Sequence, residues 1–123
     1  MNPGSDTAKA LAIGRLVLGT LALLFPAVTA RLFMLKVKTN PQLPYMTRLF
    51  AAREIAVGAL TLNAPESART SMTGLGMAID GSDAVAGIAA TRSGAVSKPV
   101  GVLLTGAALA AVAAGASTFA GRS

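Results

Sequence analysis

Apolar residues in this chain fall into four long runs, each bounded or broken by a few charges. The first, Leu11 to Phe25, is interrupted only by Arg15 and stopped by Pro26, since proline inside a helix removes a backbone hydrogen bond. The second, Met46 to Leu62, contains Arg48, Arg53 and Glu54 and closes at Asn63-Ala64-Pro65. The third, Ser71 to Thr91, is rich in glycine and alanine and carries Asp80 and Asp83. The fourth, Pro99 to Gly121, has no charge, and Pro99 suits a first helical turn. About 20 helical residues cross a hydrocarbon core of about 30 Å. The pattern predicts an all-α fold, a four-helix transmembrane bundle with spans at 10–26, 46–62, 71–91 and 99–120 in a single membrane domain over 1–123. The alternative keeps three spans and makes the third segment re-entrant or interfacial.

The segments between the runs are also informative. Ala30 to Lys38 is apolar with basic punctuation, which predicts an interfacial stretch whose Arg31, Lys36 and Lys38 reach headgroups. Pro41 and Pro44 mark a loop, and Ser93 to Lys98 another. Lys9 ahead of the first run, with Val28-Thr29-Ala30 behind it, has the outline of a cleavable leader, but Arg15 interrupts what would be its apolar core. Basic residues in the first and third loops (Arg31, Lys36, Lys38, Arg92, Lys98) outnumber Lys9, Arg69 and Arg122 on the other side, which favours termini outside.

Composition sharpens this reading. The chain has 123 residues, 53% of them hydrophobic and 13% charged, against about 25% charged in soluble domains. Mean hydropathy is +0.61. Cysteine and histidine are absent, which removes disulfides, thiol nucleophiles, Cys/His zinc sites and Ser-His-Asp catalysis. The expectation is a protein with no catalytic residues, no metal and no cofactor. The net charge of +6 flanks apolar segments and lacks interleaved aromatics, so anionic headgroups are a better partner than nucleic acid.

Charges inside the runs set the candidate chemistry. Two central aspartates cost about 5–7 kcal/mol on insertion, while Leu75, Ile79, Val85 and Ile88 return only about 2 kcal/mol. Arg15, Arg48 and Arg53 balance Glu54, Asp80 and Asp83, so an intramembrane ion-pair network is expected. Within it, Arg53 is expected to pair with Asp80 or Asp83, leaving Glu54 to Arg15 or Arg48. Small residues accompany these charges at helical spacing: Ala12, Arg15, Gly19, Ala22; then Thr47, Ala51, Glu54, Gly58, Thr61; then Thr73, Gly76, Asp80, Asp83, Gly87. Gly19, Gly58, Gly76 and Gly87 are thus expected at helix contacts. Arg48 beside Tyr45 reads as a headgroup anchor. Gly101, Thr105, Ala108 and Gly115 form a candidate self-association face. The function this favours is a non-enzymatic scaffold or accessory subunit of the cell (inner) membrane, multi-pass, partnered by the bilayer and by copies of itself or other membrane proteins. The alternative is a small proton-coupled transporter using Glu54, Asp80 and Asp83.

Arg15-Leu-Val-Leu-Gly19, Thr47-Arg-Leu-Phe-Ala-Ala-Arg-Glu-Ile-Ala-Val-Gly58 and Asp80-Gly-Ser-Asp83 resemble the motifs of small uncharacterised bacterial four-helix integral membrane proteins. In that group Arg-x-x-x-Gly precedes Arg-Leu-x-Gly-Ala-Arg-Asp/Glu-x-x-x-Gly and an Asp-containing third helix. Ala51 stands here where glycine is common. The resemblance covers about residues 11–90 and implies a four-helix inner-membrane protein of unknown function. The opening motif is similar, over a shorter stretch, to DoxX-like membrane proteins.

Overall fold

A computed structural model describes residues 3–120, which form five helices and no strand. These are α1 (Pro3–Leu24), α2 (Pro26–Leu32), α3 (Leu43–Asn63), α4 (Glu66–Ser93) and α5 (Lys98–Ala120). The all-α expectation holds, but the four-helix transmembrane bundle does not. Among the described residues, only Asp6–Leu24 in α1 and Lys98–Phe119 in α5, 19 and 22 residues, are both long and apolar enough to cross a membrane. At 1.5 Å per residue they reach about 28 and 33 Å. The other two expected spans fail on composition: α3 carries Arg48, Arg53 and Glu54, and α4 carries Glu66, Arg69, Asp80, Asp83 and Arg92. The three-span alternative fails on the same count, and Arg122 lies outside the described residues.

The fifth helix is α2. Pro26 does end α1, but it also sits in the first turn of a new helix, where its missing N–H costs nothing. The Phe25 N–H still reaches the Leu21 carbonyl, and Thr29 N–H and Oγ1 both donate to the Phe25 carbonyl. One face of α2 buries Pro26, Thr29 and Ala30. The helix ends in a paired closure: Met34 N–H donates to the Arg31 carbonyl and Leu35 N–H to the Ala30 carbonyl. That closure needs a left-handed residue, and Met34 supplies it with φ 63°.

The chain divides into two compact units, Lys9–Asn63 and Ala64–Ser123 with the first eight residues. In the first, α1 and α3 run antiparallel at close range. A Cβ on Gly19 would lie 2.9 Å from the Ala51 carbonyl oxygen, and one on Gly58 2.9 Å from that of Ala12. Helix α2 packs on α3 in the same unit.

In the second unit α4 and α5 form a hairpin. Gly94, left-handed at φ 80°, terminates α4, and Ser97 Oγ accepts from Val100 N–H at the start of α5. Side chains of one helix lie over glycines of the other: Thr105 over Gly87, Thr91 over Gly101, Met77 over Gly115. Gly101, Thr105 and Gly115 are therefore used inside the unit, which corrects their assignment to a self-association face. The outward arc of α5 is instead Val102, Gly106, Leu109, Ala113 and Ala116.

Candidate functional site

The site with the best-defined geometry lies in the first unit, where each helix contributes one charge among small residues. On α1 the buried stripe is Ala12, Arg15, Gly19 and Ala22, spaced so that all four share a face. On α3 it is Ala51, Glu54, Val57, Gly58 and Thr61. Arg15 Nη1 donates to both carboxylate oxygens of Glu54, at 2.9 and 3.1 Å. The two side chains are only 8% and 4% exposed, so solvent barely screens the pair. Gly19 and Gly58 lie on either side of the pair along the helices. They allow the backbones to approach until a charge on one helix meets a charge on the other. Thr61 Oγ1 is satisfied by its own helix, donating to the Val57 carbonyl at 2.7 Å.

The other expected charges are placed as follows. Arg48 is exposed beside exposed Tyr45, and its Nε donates to the Leu23 carbonyl at 3.3 Å. Leu23 is in the last turn of α1, so Arg48 caps a helix terminus. Arg53 is half-buried on α3, its guanidinium carbon 5.6 Å from the Phe50 ring centroid. Asp80 is buried on α4 with Thr73, Gly76, Ala84 and Gly87, whereas Asp83 is half-exposed. The buried stripe on α4 steps from Asp80 to Ala84 and Gly87, with Asp83 at its edge.

One buried charge escapes a reading of apolar runs. Arg69 continues the α4 stripe one turn above Thr73, is buried, and its Nη2 donates to the Ala64 carbonyl at 2.7 Å. Starting the helix at Ser71 placed Arg69 in a loop among the headgroup-facing basic residues. Glu66 directly after Pro65 is the signal for the earlier start, since an acidic residue suits a helix's first turn. Among the described residues, no group of three or more acidic side chains is placed to hold a metal ion.

No protein-family profile, curated protein or solved structure matches the chain. The resemblance to four-helix bacterial membrane proteins, and the shorter one to DoxX-like proteins, is thereby overturned. The fold points the same way, with five helices of which two are membrane-length. The residues that carried the likeness have local roles here: Arg15 and Glu54 pair, and Gly19 and Gly58 are contact points.

Proposed function

We propose that this is a non-enzymatic, multi-pass membrane protein, a scaffold or accessory subunit held in the bilayer through α1 and α5, with Arg15–Glu54 as a structural lock. The observation that carries the reading is the uncovered surface of the two apolar helices. Only 17% of Lys98–Phe119 and 28% of Asp6–Leu24 is buried inside the protein. An apolar helix at the centre of a water-soluble fold is covered by its neighbours. Here Val102, Leu109, Val17 and Leu21 are all more than half exposed. Lipid is the solvent in which such helices need no further cover.

The geometry favours a lock over a proton-transfer site. Both Glu54 oxygens are engaged by one arginine nitrogen, and small residues surround the pair. A carboxylate held this way fixes the position of α3 along α1.

The test is fractionation of the full chain expressed in bacteria. Retention in the membrane pellet after alkaline carbonate extraction, with flotation in a density gradient, is expected. Recovery in the carbonate-soluble fraction contradicts the reading. Purification in mild detergent tests the scaffold role: a strictly monomeric particle with nothing bound speaks against it.

A further inference from the structure

From the geometry and charge of the first unit we infer a docking surface for anionic phospholipid, built from the outward face of α2, the turn that follows it and the start of α3. This deepens the membrane reading above and rests on it. Charge is the first observation. Seven of the eleven basic residues and one of the five acidic residues fall within 9–63, so the whole net charge of +6 resides in this unit. Its single acid, Glu54, is buried against Arg15. No acidic residue occurs between Asp6 and Glu54, so none interrupts the basic run Arg31, Lys36, Lys38, Arg48.

The second observation is placement. Pro26, Thr29 and Ala30 turn inward on α2, so Val28, Arg31 and Leu32 face outward. Leu32 is 74% exposed, and Phe25, Val28 and Met34 are each more than half exposed. The Arg48–Leu23 hydrogen bond brings the start of α3 to the end of α1, which places Tyr45, 63% exposed, at the same end of the unit. Apolar side chains beside exposed cations, at the mouth of an apolar helix, match an interface of acyl chain and anionic headgroup. A soluble polyanion satisfies the cations but leaves Phe25, Val28 and Leu32 in water.

Tyr45 is the only tyrosine, and there is no tryptophan, so native fluorescence reports on this surface. The full chain is incorporated into phosphatidylcholine vesicles and into equimolar phosphatidylcholine–phosphatidylglycerol vesicles, and Tyr45 is quenched with acrylamide. Tyr45 is expected to be better shielded in the anionic vesicles. That extra shielding is lost in 1 M salt, where the screening length falls to about 3 Å. It is also lost in the Arg31→Gln/Lys36→Gln/Lys38→Gln variant, whose three altered side chains are exposed. The salt titration uses the native chain, so it decides the matter even where the variant fails to fold. Equal shielding in both vesicles, with the chain floating in both, overturns the headgroup surface and leaves the membrane reading standing. Failure to float with either removes both. Equivalent shielding by an oligonucleotide without vesicles makes this a general polyanion surface and overturns the proposal. Shielding that rises with protein density at fixed lipid does so in favour of a second copy.

Discussion

Arg15→Ala tests the ion pair at its most exposed logical point, because it strands a buried carboxylate without touching it. Removing one partner of a buried pair costs about 3–5 kcal/mol, most of it from the charge left behind. Arg15 Nη1 reaches both Glu54 oxygens at 2.9 and 3.1 Å, the short contacts of a charge-assisted pair. A loss of about 3 kcal/mol lowers the folded-to-unfolded ratio by about two orders of magnitude. Little discount for screening applies at 8% and 4% exposure. Glu54→Leu strands Arg15 instead and carries a similar cost. The double variant Arg15→Met/Glu54→Leu removes both charges while keeping apolar volume, and is expected to lose clearly less than the sum of the two single effects. Helicity followed by circular dichroism during sodium dodecyl sulfate titration of the micelle-bound protein measures all four forms. Single variants within about 0.5 kcal/mol of native, as for an exposed pair, refute the reasoning. So does a double variant that loses the full sum of both single effects.

The remaining predictions use the same titration. Gly58→Ala drives a Cβ to 2.9 Å from the Ala12 carbonyl oxygen and should cost about 1–3 kcal/mol, whereas Gly14→Ala enters open space and should be neutral or stabilise by up to about 1 kcal/mol; equal effects at the two sites contradict the close α1–α3 crossing. Met34→Gly relieves a left-handed non-glycine residue and is expected to stabilise by up to about 1 kcal/mol, so a clear loss argues against the α2 closure. Arg69→Ala should destabilise by about 1–3 kcal/mol through the lost bond to the Ala64 carbonyl, while Arg92→Ala, exposed, should stay within about 0.5 kcal/mol; the reverse order places Arg69 outside the core.

Helix faces were more legible in the sequence than helix number. The stripes Ala12-Arg15-Gly19-Ala22 and Ala51-Glu54-Gly58-Thr61 are buried as their spacing predicts, because a face of small residues with one charge has few other packing solutions. Glu54 had two candidate partners, Arg15 and Arg48; the antiparallel crossing at Gly19 and Gly58 brings it to Arg15. Helix α2 was hidden because Pro26 was weighed only as a terminator, and proline is equally a residue of first turns. The span count failed where length outweighed composition. The third segment's aspartates already cost more than its apolar side chains return, and α4 proved longer and more charged than the run that marked it, gaining Glu66, Arg69 and Arg92 at its ends. The self-association face failed because small residues at i, i+4 and i+7 state only that a helix approaches closely; here that helix is α4.

Charge and packing divide between the two units in a way that bears on function. Residues 9–63 carry the entire net charge and hold their helices by an ion pair set among glycine and alanine. The hairpin of α4 and α5 uses side chains laid over glycines instead, and its part of the chain is formally neutral: Lys98, Arg92, Arg69 and Arg122 balance Asp6, Glu66, Asp80 and Asp83. A uniformly basic protein attracted to any polyanion has no reason to segregate its charge. A protein at a lipid surface does, because cations at the headgroup level gain about 1 kcal/mol each while those on an apolar helix cost more than that. Between its first residue, Lys98, and Phe119, α5 has no charge, and four exposed cations of the first unit, Arg31, Lys36, Lys38 and Arg48, follow the end of α1, with Lys9 at its start. Along the sequence, an apolar segment and a basic one are thus distinct, the division that the proposed attachment to lipid requires.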